Sequence, residues 1–269
     1  MTINFKQALS MKAKKSYGQH FLNKESIAKD IALSLKATNQ YDDILEVGPG
    51  KGMLTKYLLE YEKHRLKVVE ADVDMVNYIA EHYTVLVPHI IAEDFLKVKL
   101  DDYFTGQFAI IGNFPYNISS QILFKLLDYK QQVPELVGMF QKEVAERVVA
   151  KPNTKAYGIL SVLIQAHYDA EYLFTVGPKN FNPPPKVQSG VIRLTRKKDF
   201  DNIGCDGRKL KSIVKATFNM RRKMLRNSMK PFLPKNVIFA DEFFQKRPEN
   251  LSVEDFIRLT NLVTEHQSS

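Results

Sequence analysis

The chain has 269 residues, 39 Lys and Arg against 30 Asp and Glu, and a formal net charge of +9 at pH 7. That length suits one large domain or two unequal ones with a real core, and a composition 44% hydrophobic and 26% charged excludes wholesale disorder. No run reaches the roughly 18 apolar residues of a membrane span, the first residues carry no apolar signal core, and one cysteine (Cys205) with six scattered His offers neither an internal disulfide nor metal-ligand spacing. The expected setting is therefore the cytoplasm, without membrane or metal.

Residues 24–37 place Ile27, Ile31 and Leu35 at i, i+4 and i+8, which predicts an amphipathic helix. Asp43–Val47 reads as a short buried strand running into Gly48-Pro-Gly-Lys-Gly52, followed by a helix over 53–61 and a strand over 66–70. Helix 74–82, strand 85–91, strand 108–111, helix 118–129, strand 136–140 and helix 142–150 continue the alternation, with Glu143 and Glu146 as surface charges on the last. Such alternation predicts an α/β fold with a mostly parallel sheet covered on both faces. Beyond about 157 the pattern changes. Ile159–Phe174 reads as one long strand, the Pro-rich Phe181–Val187 as a loop, and Val191–Leu194 as a returning strand that makes an antiparallel edge. From Arg208 onward the chain reads as helical. The polar, aperiodic segment 196–207 marks a boundary, so the expected domains are 1–200 and 201–269.

The positive charge is localised. Residues 1–24 carry five cations and 209–230 carry eight, both without an acid, so the other 223 residues sum to −4. Two acid-free runs on an acidic body point to a polyanion partner. In the second run Lys211, Lys215, Arg222 and Arg226 share one helical stripe opposite Leu210, Ile213, Val214, Thr217 and Leu225, if one helix runs through Asn219.

Gly48, Gly50 and Gly52 lie between strand and helix in a G-x-G-x-G pattern, not the G-x-G-x-x-G usual for nicotinamide cofactors. A tight turn explains them nearly as well. Context favours a ligand: Glu70 ends the next strand, 22 residues after Gly48, where an acid accepts from ribose hydroxyls, and Asp94 follows the third strand, where it can accept from an adenine amino group. An adenosine-type cofactor is expected.

The fourth strand ends in Gly112-Asn-Phe-Pro-Tyr-Asn-Ile-Ser119. Asn-x-Pro can be a plain turn. Its chemical reading is sharper. An exocyclic adenine amine is a weak nucleophile because its lone pair is delocalised into the ring. The Asn113 side-chain oxygen and a main-chain carbonyl near Phe114 can accept its two N–H groups and localise that pair, while Tyr116 stacks on the base. Positioning and electrostatics then carry the rate, with no strong base in the attack step.

Together, Gly18-Gln-His-Phe-Leu22, Glu46-Val-Gly-Pro-Gly50, Asn113–Ser119, Phe181-Asn-Pro-Pro-Pro-Lys-Val-Gln-Ser189 and Phe218-Asn-Met-Arg-Arg-Lys223 resemble the ribosomal RNA adenine dimethyltransferase family, and Arg247–Phe256 resembles its small-subunit branch. The resemblance runs from residue 14 to about 256. It implies a class I, Rossmann-like S-adenosylmethionine-dependent methyltransferase sheet of seven strands with an antiparallel last strand, plus a small all-α C-terminal RNA-binding domain. It implies that Gln19, His20, Leu22, Gly48, Gly50, Glu70, Asp94 and Asn113 line the S-adenosylmethionine pocket, that Asn113, Phe114, Pro115 and Tyr116 are catalytic, and that Phe181 stacks on the target adenine opposite Tyr116. On the residues alone, Phe181 is a core aromatic anchoring a proline-stiffened loop. Two departures stand out: His20 replaces a frequent Asn, and Phe114 a commoner Leu.

The implied substrate is two adjacent adenosines in the 3′-terminal hairpin loop of small-subunit rRNA, each methylated twice on N6 by a monomer with a part in small-subunit biogenesis. Lys12, Lys14, Lys15, Lys211, Lys215, Arg221, Arg222, Lys223 and Arg226 are the expected RNA contacts. A large-subunit rRNA dimethyltransferase of the antibiotic-resistance type and a non-catalytic rRNA-binding assembly or transcription factor are the competing readings.

Overall fold

The structure, a computed structural model, describes Lys14 and residues 18–268. Its frame is a seven-stranded sheet in the order β4-β3-β2-β5-β6-β9-β7, with a separate two-stranded sheet β1-β8. Strand β1 is Phe21–Leu22, and helix α1, Glu25–Ala32, follows it. Ala28, Ile31 and Ala32 of α1 are buried. The helix stops five residues short of its predicted end. The backbone N–H groups of Lys36 and Ala37, which further turns would have used, donate instead to the Glu135 carboxylate.

Strand β2 (Asp43–Val47) is buried at every position. It pairs in parallel with β3 (Arg65–Val69) on one side and β5 (Phe108–Asn113) on the other, Ile44 facing Leu66 and Ala109. Helix α2 (Thr55–Leu58) is shorter than its pattern predicts. Helix α3 (Val73–His82) is capped by Asp72, whose side chain accepts from the Asp74 N–H. The predicted strand 85–91 is a 3-10 turn over Thr84–His89, leaving only Ile90–Ile91 as β4. Alternating Val85 and Val87 imitate a strand but are 64% and 53% exposed, and Pro88 withholds a ladder donor.

Helix α4 (Ser119–Asp128) leads to β6 (Glu135–Gln141), parallel to β5. Helix α5 is Lys142–Val149. Ile159–Gln165, expected as strand, is helix α6, and only Tyr168–Val176 forms strand β7. Leu160 to Ile164 are all buried, so that segment carries no periodicity to separate helix from strand. Strand β8 (Phe181–Asn182) pairs with β1, Phe21 facing Asn182 and Leu22 facing Phe181. Strand β9 (Ser189–Arg196) runs antiparallel to β6. The antiparallel strand is therefore not at the edge: β9 is inserted between β6 and β7, and β7 is outermost.

Helices α7 (Gly207–Asn219), α8 (Leu225–Ser228), α9 (Lys235–Ala240) and α10 (Val253–Ser268) complete the chain. The described residues form two compact units. One contains those up to Ala145 with Tyr172–Thr195, the other Glu146–Glu171 with everything from Arg196 onward. This division differs from a single cut at 200, because α6 packs on α7 and so belongs with the C-terminal helices. Asp206 caps α7 by accepting from the Lys209 N–H at 2.7 Å, and Leu210, Ile213, Val214 and Thr217 are its buried face.

Candidate active site

The first unit contains a cavity of about 270 Å³ at the carboxyl ends of β2, β3, β4 and β5. Leaving β2, the chain turns with Gly48 at φ +69° and Gly52 at φ +76°. A Cβ at Gly48 would meet no protein atom within 4 Å, so the open space there belongs to the cavity. At Gly52 it would strike the Tyr83 ring at 2.3 Å, and the Tyr83 hydroxyl donates to the Gly52 carbonyl at 2.9 Å. The loop is thus clamped from α3's end and backed by the Phe21 ring at Gly50, while Gly48 stays bare.

Beneath the loop, Glu46 is 1% exposed and accepts from the Thr55 hydroxyl at 2.7 Å. Burial pushes its carboxyl up to about 8, with the Thr55 hydrogen bond opposing and Glu70 reinforcing that rise. Glu70 directly follows β3. Its oxygens accept from the Asp72 N–H at 2.9 Å and, at a long 3.4 Å, from the Gly50 N–H. Burial raises its pKa above the usual carboxylate range. Asp94 follows β4 and is held by the Leu96 N–H at 2.9 Å.

At the end of β5, the Asn113 Nδ2 donates to the His20 carbonyl at 3.0 Å. That bond settles the amide's orientation and leaves Oδ1 as the acceptor. Phe114 is 1% exposed, its ring 4.8 Å from that of Phe140, in a space that exists because a Cβ on Gly138 would lie 2.0 Å from it. A bulkier residue than Leu therefore fits. The Pro115 carbonyl accepts from the Ser119 hydroxyl and the Ile118 N–H. Tyr116 shares a 2.6 Å hydrogen bond with the buried Ser189 hydroxyl, and burial raises its pKa, so the phenol stays neutral.

Of the residues expected from sequence, Gln19, His20, Gly48, Gly50, Glu70, Asp94, Asn113, Phe114, Pro115 and Tyr116 all line this cavity. Leu22 and Phe181 do not. They pair across β1 and β8, are 7% and 3% exposed, and pack in the hydrophobic core, the position that residue type alone suggests for Phe181. The Gln19 amide is occupied, donating to Asp72 at 2.9 Å and accepting from the Lys14 N–H at 2.9 Å. The His20 ring lies 5.3 Å from the Tyr116 ring, and its Nδ1 is 2.8 Å from the Pro183 carbonyl. His20 thus neighbours the Asn-Phe-Pro-Tyr side of the cavity.

Sequence reasoning missed Asp72, which ties Gln19 and Lys14 together while capping α3. The available signal was an Asp directly before a helical pattern. It also gave no role to Ser189, Tyr83 or the cavity-lining Phe21 and Glu93.

The expected RNA contacts divide. Lys12 and Lys15 lie outside the described residues. Lys14 makes ion pairs with Asp72 at 2.6 Å and Asp74 at 2.7 Å, which raise its pKa, while its side chain stays 41% exposed. In the second unit α7 ends at Asn219, so Lys211 and Lys215 stand on one helix while Arg222 and Lys223 occupy a turn and Arg226 is on α8. The single stripe does not form. Arg221 is tied to Glu249 at 2.8 Å and to the Thr154 carbonyl at 3.2 Å. Arg222, Lys223 and Lys215 are exposed.

Among the described residues no group of acids, His or Cys could hold a metal ion, and no helix is long and apolar enough to cross a membrane.

Comparison with known proteins adds three findings. The profile of the ribosomal RNA adenine dimethylase family matches residues 10–265. A protein of Parabacteroides distasonis named ribosomal RNA small subunit methyltransferase A is 54% identical over 95% of this chain and 96% of its own length, and one of the same name from Cytophaga hutchinsonii is 52% identical over 94% and 98%. The crystal structure of a dimethyladenosine transferase from Plasmodium falciparum superposes with a TM-score of 0.75 at 25% identity, covering 92% of this chain and 98% of that one.

Proposed function

The chain belongs to the ribosomal RNA adenine dimethylase family, and from that premise we propose that it methylates N6 of two adjacent adenosines in the 3′-terminal hairpin loop of small-subunit rRNA. It is an S-adenosylmethionine-dependent rRNA adenine dimethyltransferase. Relatives named for the small subunit over nearly their whole length favour that subunit over the large one, and no observation favours a non-catalytic factor.

The observation that carries the catalytic reading is the Asn113 amide, pinned through Nδ2 so that Oδ1 remains to accept, in one cavity with Glu70, Asp94 and Tyr116. The cavity suits the cofactor: the bare Gly48 turn leaves room for it, and the two acids stand where an adenosine presents its donors. Glu70, held by backbone N–H groups, accepts from the ribose hydroxyls, and Asp94 from the adenine amino group. When bound, S-adenosylmethionine supplies an electrophilic methyl group. The Asn113 Oδ1 accepts one N–H of the target amine. Because the Pro115 carbonyl is already engaged, the Phe114 carbonyl is the main-chain acceptor for the other. Together they draw the amine's lone pair out of conjugation and aim it. Tyr116, fixed by Ser189, stacks on the base, at roughly 1–3 kcal/mol for such a contact. Lys211, Lys215, Arg222, Lys223 and Arg226 meet RNA phosphates, and the protein acts as a cytoplasmic monomer.

The test is transfer of labelled methyl groups to unmethylated small subunits, with the modified nucleotides mapped by mass spectrometry. N6,N6-dimethyladenosine at two adjacent loop positions is expected. Asn113→Ala should lower the single-turnover rate roughly 10²–10³-fold, the size seen when a fixed polar group at a reacting centre is removed, and leave S-adenosylhomocysteine affinity within a few-fold. No label in small-subunit rRNA from a protein that binds the cofactor would sink the assignment.

A further inference from the structure

We infer that Lys125 is a positioning residue for the cofactor's adenine, acting through the turn 94–98 that bears its acceptor. The inference rests on the function proposed above and deepens it, adding a distant side chain to the recognition of S-adenosylmethionine.

The turn follows β4 and lies outside any strand or helix. From within, its own groups close it. The Asp94 carbonyl accepts from the Lys97 N–H at 2.8 Å and the Val98 N–H at 3.0 Å, and the Asp94 Oδ1 accepts from the Leu96 N–H at 2.9 Å. From without, one side chain grips it. Lys125 of α4 extends its Nζ to the turn and donates to both the Phe95 and the Val98 carbonyls. The ammonium also lies 4.9 Å from the centre of the Phe95 ring and 5.8 Å from that of Tyr129. Phe95 and Val98 are buried, where a carbonyl without a donor costs free energy.

This grip bears on the ligand because Asp94 and Phe95 both line the cavity. With Oδ1 spent on the Leu96 N–H, the Asp94 carboxylate follows the backbone of its own turn. Whatever fixes the Phe95 and Val98 carbonyls therefore aims the remaining oxygen at the adenine amino group. Burial lowers the Lys125 pKa, and Asp94 leads the carboxylates that oppose the fall, so charge ties the ammonium to the same acid. Lys125 stands on a helix whose Ile122, Leu123 and Leu126 are buried, a setting in which an ammonium is costly unless it is engaged. Its two carbonyl partners engage it, and the cost is offset by the order it imposes on the turn.

The test compares S-adenosylhomocysteine with its 6-desamino analogue, in which hydrogen replaces the adenine amino group, by titration calorimetry on the full-length protein. The unaltered protein should prefer the amino ligand about 30-fold, the worth of one hydrogen bond to a charged acceptor. Lys125→Met, similar in length and uncharged, should weaken S-adenosylhomocysteine about tenfold and the analogue less than about twofold, so that the preference falls to roughly three- to sixfold. Glu70→Ala, acting on the ribose, should weaken both ligands alike and keep the full preference. Lys125→Gln, which retains a donor for one carbonyl, repeats the test in the same direction if the Met variant does not fold. A Lys125 that only stabilised the fold would lower the urea midpoint, or both affinities together, and leave the preference unchanged; that result overturns the inference. An unaltered protein that binds both ligands equally also overturns it, because Asp94 then does not read the amino group. One that binds neither ligand removes the proposed function itself.

Discussion

At the amino-terminal end of the parallel strands, Glu135 opens β6 at 0% exposure. Its carboxylate accepts from the Lys36 N–H, the Ala37 N–H and the Tyr41 hydroxyl, all at about 2.9 Å. At the carboxyl-terminal end, Glu70 follows β3 at 9% exposure with one ordinary and one long backbone hydrogen bond, and it faces a cavity. A buried carboxylate costs free energy until its lone pairs are satisfied. The fold supplies Glu135 with three donors and no cavity, whereas Glu70 faces a cavity, where burial raises its pKa and its carboxylate keeps capacity for a ligand. The contrast separates a structural acid from a binding one better than burial does, since both are buried.

The sharpest way to break this contrast is to truncate both. Glu70→Ala should weaken S-adenosylhomocysteine binding about 100-fold in titration calorimetry, two hydrogen bonds to a charged group at roughly 1.5 kcal/mol each, with little change in the urea midpoint. Glu135→Ala orphans three donors and should lower unfolding stability by about 3 kcal/mol, leaving cofactor affinity of the folded protein intact. Similar losses in both assays for both variants would erase the distinction.

Glu46 sharpens it further, being buried with a single side-chain partner beneath the glycine loop. Its folded carboxyl titrates near 8 against an ordinary 4.5. The folded state therefore holds a proton that the unfolded chain has released. Its contribution to stability is complete below about pH 4.5 and is lost as pH rises through about 8. Glu46→Gln, which keeps the neutral shape, should flatten the decline in urea stability between about pH 5 and about pH 9. A decline as steep as in the unaltered protein would show that Glu46 is already ionised.

The smallest effect extends the comparison to cations. Arg221 is consumed by Glu249 and Thr154, whereas Arg222 and Lys223 are exposed beside it. Replacing Arg222 and Lys223 by Ala should reduce the log–log salt slope of RNA binding by about 1.5, at roughly 0.7–0.9 per phosphate. Arg221→Ala should leave the slope unchanged. The reverse pattern would move the RNA contact onto Arg221.

Much of the site was legible because its signals are local. Glycines between a strand and a helix, an acid after each of two strands, and Asn-Phe-Pro-Tyr after a fourth mark the carboxyl ends of a parallel sheet, and eight residues named on those grounds share one cavity, joined by Gln19 and His20 that the family resemblance supplied. Apolar alternation with helices also implied the parallel sheet itself. Distant partners decided the rest. Ile159–Gln165, a helix, was not legible as one because Leu160 to Ile164 are all buried, which erases its period. α1 does not run on to residue 37 because Glu135, about a hundred residues later, takes the Lys36 and Ala37 N–H groups. Phe181 went to the core through its pairing with Leu22, and Lys14 pairs with Asp72. Sequence by itself determined which backbone conformations and which burials each segment prefers. Only the tertiary structure determined which charges are satisfied and which remain for a ligand, because hydrogen bonds and ion pairs depend on groups brought together from far along the chain.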